Sequence, residues 1–575
     1  MKNILKISIL CTIIVLSSCE DFLNRTPLDE VNSEDFYKNA AELRIAANDF
    51  YQTLPGWASL NVGFNTLPDT GTDMVIGQNA PARLSGTNYN VPATSSAGNW
   101  GRWDEIRETN WFLDRSDQAE AESEQEQEEI NHYIGEGYFF RAYYYFEMLI
   151  SHGDLPILDR YFDNNDEELV FKARDPRSDV ANFILSDLDK AISLLQSFPN
   201  TPDAGPRISK EAAQLLKARV ALFEGTWEKY HAGTVFGVTD SDGSSFLQIA
   251  ADTSEDIIDS GIFSLSPDYG DLFIQIGLSG NSEVILWRDY NDIGLDINNV
   301  LQLSWPNRCA YTRFAIRSYL CSDGLPTAVS PLYVGDQDLN TIENNRDSRL
   351  MASIMVPGDL LTKNTDNSEV LWANPDFSTA NAGDTGYESQ KYRNPNIDAD
   401  INNFTRSTSR IIMRYAEALL IFAEAKAELG TISQGDLDKS INLLRVRVGM
   451  PNIVLGAIVT DPNWPNYGYA LSDILYEIRR ERSVEFLAEG FRASDLYRWR
   501  AHSLFDGDQP RGAYYDDGVV NVELDPANAD LDSEGYILPF NDIGNYNFDP
   551  TRAYLLPIPL DELSLNPNLT QNPGW

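Results

Sequence analysis

Basic residues are scarce in this chain. Of its 575 residues 44 are Lys or Arg, against 87 Asp or Glu, which leaves a formal net charge of −43. A surface of that sign repels phosphate backbones and argues against nucleic acid as a partner. Histidine is scarcer still: His132, His152, His231 and His502 are the only four, and none stands at an HExxH or other metal-ligand spacing. There is no GxSxG elbow and no glycine loop of the kind that cradles phosphate, so no activated nucleophile and no nucleotide site is indicated. The acidic stretch "DNNDEE" at 163–168 lacks the glycine and spacing of an EF-hand loop and reads as a solvated turn. On this reading the chain has no catalytic residue, no metal site and no cofactor.

Long apolar runs are also missing. None reaches the roughly 20 residues that a bilayer span requires. Cysteine is limited to Cys11, Cys19, Cys309 and Cys321, too few for a disulfide framework. The segment "YTRFAIRSYLCS" between the last two reads as a helix. A rise of about 1.5 Å per residue would hold its ends roughly 15 Å apart, whereas disulfide Cα atoms lie within about 7 Å. Cys309 and Cys321 are therefore expected to be free, buried thiols.

What is present begins with a short signal. Lys2 and Lys6 precede the apolar stretch from Ile7 to Leu16, the charged start and greasy middle of a secretory leader over residues 1–18. Leu16-Ser17-Ser18-Cys19 then resembles a bacterial lipobox, in which small residues admit the peptidase and the cysteine takes lipid. Each buried methylene contributes about 0.8 kcal/mol, so two or three acyl chains anchor firmly where one does not. The mature chain would thus be held at a membrane without crossing it.

The first half reads mainly as helices. Ser33 is a plausible N-cap for "SEDFYKNAAELRIAANDFYQTL". The glutamate-rich stretch 118–133 reads as a solvated helix entry. It leads into "IGEGYFFRAYYYFEMLISHGDLPI", an aromatic helix stopped by Gly153 and Pro156. In "ISKEAAQLLKARVALFEGTW" the residues Ala212, Leu215, Leu216, Leu222 and Phe223 share one face at a period of 3.6. Arg219 falls inside that stripe and must be paired or snorkelling.

From 262 to 407 the texture changes to scattered Gly, Pro, Asn and Asp, and no long helical period survives. Loops of that extent are usually functional, because they display binding residues. Helices return over about 408–500, with Tyr415, Leu419, Phe422 and Ala423 on one face and Gly430 as a stop. The expected fold is mainly α. It is a scaffold of tetratricopeptide-like helical hairpins (19–261 and the returning helices) with an irregular, loop-rich lobe at about 262–407 inside the C-terminal region 262–575.

Eight segments carry a family resemblance in order: "CEDFLNRTPLDEV", "GEGYFFRAYYYFEMLISHGDLPI", "AAQLLKARVAL", "RDSRL", "RYAEALLIFAEAKAELG", "INLLRVRVGMP", "IRRERSVEFLAEGFRASDLYRW" and "LLPIPLDELSLNPNLTQNPGW". Together they resemble the RagB/SusD family of nutrient-uptake outer-membrane lipoproteins of Bacteroidetes, from Cys19 to Trp575. The terminal Trp575 stands where the family more usually has tyrosine. Glu20 and Asp21 after Cys19 resemble the surface-export signal of such lipoproteins. The resemblance implies a helical fold with four tetratricopeptide-like units and a cell-surface protein that captures a glycan. It also implies a SusC-like, TonB-dependent outer-membrane barrel as partner, with the helical units facing the barrel and the loops holding the sugar.

A sugar site needs flat aromatic faces over C–H patches and polar groups for the hydroxyls. Two clusters offer them. One, over 67–103, supplies Asp73, Arg83 and Trp100, carried over from the family by position. The other supplies Trp287, Tyr290 and Trp305 at the start of the loop-rich lobe. Core packing fits each of these aromatics as well. Rival readings are a tetratricopeptide-like scaffold that binds only protein, an uptake subunit for peptides or glycopeptides, and a glycoside hydrolase. The last needs two carboxylates about 5–9.5 Å apart, and 87 acids supply such pairs by chance.

Cys19→Ala should abolish incorporation of labelled palmitate and move the protein from the membrane pellet to the soluble fraction. Unchanged membrane retention in that fractionation would overturn the anchor.

Overall fold

The computed structural model describes residues 36–575 apart from 58–66, 78, 87–88, 96–99, 164, 203–205, 291–308, 364–365, 367, 374–384, 395–407, 505, 516–529, 541–542 and 544. The signal segment, Ser33, the anchor Cys19 and Trp305 therefore lie outside the described residues.

Helices of six residues or more are α1 (Ala40–Phe50), α2 (Trp103–Ser116), α3 (Glu124–His152), α4 (Arg177–Leu194), α5 (Lys210–His231), α6 (Ser244–Ser260), α7 (Arg313–Ser318), α8 (Tyr415–Glu428), α9 (Ile441–Arg447), α10 (Asp473–Glu485), α11 (Arg492–Arg498) and α12 (Leu560–Leu565). Local chemistry sets their ends. The side chain of Asn39 accepts the Glu42 N–H at 3.0 Å and starts α1. Ser123 and Ser209 do the same for α3 and α5, each satisfying an amide that has no partner within the helix. Gly153 ends α3 at φ 75, a left-handed backbone that only glycine adopts without cost. The first turns of α3, where the glutamates cluster, are largely exposed, and from Ile130 onward the helix is almost wholly enclosed.

The fold is mainly α, a tetratricopeptide-like helical scaffold with short strands only. Helix α3 packs on α4, α4 on α5 and α5 on α6, and α6 then packs across the sequence onto α8. The apolar stripe of α5 is buried from Ala212 to Phe223 and shares one core with Leu419, Leu420 and Ala423 of α8. Each fully buried aliphatic or aromatic side chain there contributes about 1.5–3 kcal/mol. Arg219 is paired: its Nε and Nη2 donate to Glu417 Oε1 and Oε2 of α8 at 2.5 and 2.7 Å. That clamp ties the two sequence blocks of helices to each other.

A second core, including Met74, Tyr269, Tyr311, Ile316 and Tyr387, serves the segment between the blocks and reaches Val484 of α10. Among the described residues strands come only in pairs. Strand β1 (Val75–Gly77) pairs antiparallel with β3 (Cys309–Tyr311), and β4 (Leu360–Lys363) with β5 (Glu369–Leu371). Strand β2 (Val284–Arg288) pairs antiparallel with β6 (Arg410–Arg414), with register shifts at Leu286. Pairs this short cannot fold alone. They act as stitches, and β6 runs straight into α8. Cys321 is buried and free; the side chain of Cys309 lies outside the description. No described helix is long and apolar enough to cross a membrane.

The two cores meet at a knot of buried charge. Arg414, at the end of β6, donates through Nη1 to Glu283 Oε1 (2.8 Å) and Glu485 Oε1 (2.7 Å), and through Nε to Glu489 Oε2 (2.8 Å). Arg349 reaches the other Glu485 oxygen at 2.9 Å, and Arg447 donates to both at 2.6 Å. Lys391 joins through Glu489 Oε1 at 2.8 Å. Burial by itself would raise the Glu485 carboxyl. The guanidinium groups of Arg447, Arg414 and Arg349 outweigh it and hold the group well below the usual carboxylate range.

Breaking a buried charge cluster from one side typically costs about 3–5 kcal/mol, because the remaining ions are left uncompensated. Glu485→Gln should therefore lower stability by roughly that amount in urea titration. The pH dependence has a definite sign. Because the folded value is depressed, the Glu485 contribution is complete above the unfolded glutamate value near about 4.3 and is lost as pH falls through the lower folded value. Wild-type stability should fall in acid, and the Glu485→Gln variant should fall less steeply.

Candidate functional site

The stretch Asp461-Pro462-Asn463-Trp464-Pro465 joins α9 to α10 and is folded back on α10 by its own side chains. Asp461 Oδ1 accepts the Asn463 N–H at 2.8 Å, and Oδ2 accepts Arg480 Nη2 at 2.6 Å. Two prolines restrict the backbone on either side of the tryptophan. The result sets the Trp464 ring flat on Tyr476 of α10, with centroids 4.4 Å apart and planes 4° apart. Tyr467 leans on Tyr476 at 6.0 Å.

This pair forms one wall of a cavity of about 350 Å³, at the small end of the range of roughly 300–1,000 Å³ for ligand sites. Phe314 and Arg317 of α7 also line it. That short helix is capped by Thr312, which accepts the Ala315 N–H at 3.2 Å, and is pinned where Arg313 Nε donates to Asp336 Oδ2 at 2.7 Å. Gln509 and Pro510 line it as well. The floor is an ion pair: Arg492 donates from Nε to Asp73 Oδ1 (2.8 Å) and from Nη2 to Asp73 Oδ2 (2.6 Å). Burial acts to lower the Arg492 pKa, and Asp73 beside it overrides that and raises it.

Just beneath, Asp69 accepts the N–H groups of Gly490 (3.0 Å) and Arg492 (2.7 Å). Burial lifts its carboxyl to about 6 against the lowering effect of those two bonds. These contacts fasten the 67–73 turn to the junction of α10 and α11. The arrangement offers stacked aromatic faces beside guanidinium, carboxylate and amide groups, which is the equipment for holding a polyhydroxylated ring.

Of the sequence-predicted residues that are described, Asp73 alone lines this cavity. Arg83 instead clamps the C-terminal segment, donating to Ala553 O and Tyr554 O at 2.6 Å each and lying 3.7 Å over the Tyr497 ring. Trp100 is 3% exposed and sits edge-on to Trp103 (5.3 Å) and His152 (5.0 Å) in the first core. Trp287, also 3% exposed, belongs to the second core. Tyr290 is 8% exposed, and its hydroxyl accepts the Trp57 N–H at 2.5 Å. Trp305 lies outside the described residues. Trp464, Tyr467, Tyr476, Phe314 and Arg317 were not singled out from sequence. The signal was available in "DPNWPNYGY", where aromatics alternate with Pro, Asn and Gly between two helices.

Comparison with known proteins agrees with the fold. Residues 289–575 match the SusD family, and residues 68–222 match a family described as starch-binding, associating with outer membrane. The chain is 24% identical to SusD-like protein P2 of Formosa agariphila, with 99% of each chain covered. It is also 24% identical to SusD-like protein P38 of the same organism, covering 86% of this chain and 91% of that one. Among solved structures it resembles a SusD-like carbohydrate binding protein of Bacteroides fragilis, with a TM-score of 0.71 and 21% identity over 93% of this chain and 100% of that one. A surface glycan-binding protein A of Bacteroides fluxus gives a TM-score of 0.59 and 20% identity, covering 94% of this chain and 100% of that chain. The chain is a SusD-like family protein.

Burial separates the tryptophans by what their removal should do. Trp100→Ala and Trp287→Ala each empty a core position and should cost about 3–5 kcal/mol in denaturant titration. Trp464 is half-buried and stacked on one neighbour, so Trp464→Ala should cost no more than about 2 kcal/mol. Equal losses at all three would contradict the division between core and cavity.

Proposed function

We propose that this SusD-like chain is a carbohydrate-binding protein of the outer membrane, which captures a poly- or oligosaccharide at the cell surface. It then delivers the sugar to a SusC-like, TonB-dependent barrel in the same membrane. The observation that carries the reading is the flat Trp464–Tyr476 pair in a cavity also lined by charged side chains, in a chain whose relatives are named for SusD, starch and carbohydrate binding. Anchoring through lipid on Cys19 would keep the protein beside the barrel and leave the cavity facing outward.

The cavity suits capture better than cleavage. Two of its three acids, Asp73 and Asp461, are held in ion pairs with Arg492 and Arg480, which leaves Asp508 without the free second carboxylate that glycoside cleavage uses. Stacking on Trp464 would orient the ring, and Asn463 beside it would select among hydroxyl patterns. The walls come from α7, α10 and well-braced turns, so the aromatic faces are set before a ligand arrives and little ordering cost falls on binding.

The test is an array of soluble polysaccharides and oligosaccharides followed by calorimetry on the members that bind. Trp464→Ala should weaken binding by on the order of thirtyfold, equivalent to about 2 kcal/mol for a stacking aromatic at a hot spot, while the variant stays folded. No new reducing ends should appear after long incubation with any bound glycan. Full affinity in the folded Trp464→Ala protein would move the site elsewhere, and turnover of a bound glycan would place the chain among enzymes.

A further inference from the structure

The charge lining the cavity runs against the charge of the chain. Six arginines and three aspartates are among its lining residues, in a protein whose net charge is −43. Most of these cations have a fixed partner. Arg492 holds Asp73, Arg480 holds Asp461, Arg479 contacts Glu428, Arg313 holds Asp336 and Arg511 meets Asp532 at 3.0 Å. The last three partners stand outside the lining, so the lining carries more positive than negative side chains.

Arg317 is the exception. It lies half-buried in the last turn of α7 and makes no hydrogen bond or ion pair with any described residue. Its electrostatic neighbour Asp336 is already taken by Arg313 through two bonds, at 2.7 and 3.2 Å. Asp508, the one lining acid without such a partner, is exposed at the rim, where solvent screens it. A second orphan lies on the same cavity. The indole N–H of Trp464 is buried and has no acceptor among the described residues. A half-buried cation on a cavity whose other arginines are already paired lacks an acceptor of negative charge.

We infer that the cavity takes a glycan carrying an anionic substituent, a carboxylate or a sulfate on the sugar ring, with Arg317 as its counter-charge. The inference rests on the glycan-binding reading above and narrows it. A neutral sugar would stack on Trp464 equally well but would leave the Arg317 charge unanswered. An anionic polymer is repelled by the rest of this surface, so its binding depends on a local cation. Arg317 also supplies two parallel N–H donors, the geometry that carboxylate and sulfate oxygens accept.

The experiment uses the full-length protein on an array holding polygalacturonate and alginate (carboxylate), κ-carrageenan and chondroitin sulfate (sulfate), and starch, xylan and laminarin (neutral). Binding should concentrate in the acidic members, and the two acidic arms identify which anion is read. For an acidic binder, carboxyl reduction or desulfation of the polymer should cost about tenfold in affinity, equivalent to roughly 1.4 kcal/mol. Arg317→Gln should impose a similar loss on the charged polymer and none on its neutralised form. Arg317 leaves no partner behind, so the variant should melt with the wild type. If it does not fold, raising NaCl to about 0.5 M should weaken wild-type binding of the acidic glycan and spare the neutralised form. Binding confined to starch, xylan or laminarin would overturn this inference and leave glycan capture standing, as would acidic binding indifferent to Arg317→Gln. An array on which nothing binds would count against both.

Discussion

Glu485 is a buried carboxylate that receives guanidinium groups from three separate stretches of chain: Arg349 of the irregular lobe, Arg414 at the end of β6 and Arg447 at the end of α9. An isolated carboxylate in that position would be prohibitively desolvated, and so would any one of the arginines. The ions are tolerated only together, which makes the arrangement all-or-none. Glu283 and Glu489 extend it through Arg414, and Lys391 extends it through Glu489. Because its members come from both the lobe and the returning helices, the knot fixes how one sits on the other. Hydrophobic contact alone is non-directional and would allow the lobe to settle in several neighbouring positions. The cavity inherits this registry: its Tyr476 wall and Arg492 floor flank the Glu485 turn, and its Phe314 and Arg317 wall belongs to the lobe.

Two further charged clusters repeat the device at lower multiplicity. Arg498 donates to Glu424 at 2.6 and 2.8 Å and to Asp495 at 2.9 Å, while Trp499 Nε1 donates to Glu424 at 2.8 Å. Arg445 of α9 bridges Glu477 and Glu481 of α10. Helix α10 and the chain after it therefore act as an ionic spine, touching α8, α9 and α11 through paired charges while the apolar residues between them fill the two cores. A binding protein gains from such a spine. Its aromatic faces are carried on elements whose orientation is specified by bonds with direction as well as by burial.

The parts of the fold that the sequence made legible are those governed by local rules. The stripe from Ala212 to Phe223, the stop at Gly153 and the pairing of Arg219 follow from periodicity, backbone permissiveness and the cost of an unpaired charge. The start of α1 differs in detail, because within the described residues Asn39 supplies the cap. The site was less legible. Trp100 stands among turn-forming residues and Trp287 ends the apolar run of β2 just before a polar turn, yet both rings are buried. Turn chemistry reports the path of the backbone and does not say which way a side chain points. Trp464 carried the same local signal but lay between helices assigned to the scaffold. Only the tertiary fold shows that its loop doubles back on α10 beside α7, more than a hundred residues earlier in the chain. Asp73 was singled out from sequence and lines the cavity, whereas its ion pair with Arg492 depends on a contact across 419 positions of sequence.

The burial of the segment around Glu485 also bears on the chain before it folds. Most proteins bury their most water-averse stretches, and those stretches are the ones that associate when a chain is unfolded. Here one of the deepest elements, from Arg479 to Arg498, is dense in arginine and glutamate. While unfolded it is well hydrated and has little tendency to join strand-like aggregates, which favour runs of high β-propensity and low charge. It becomes an interior element only when its partners from the lobe and from α8 and α9 arrive together. A long chain is thereby spared one sticky core segment during the interval in which it is most exposed to misassembly.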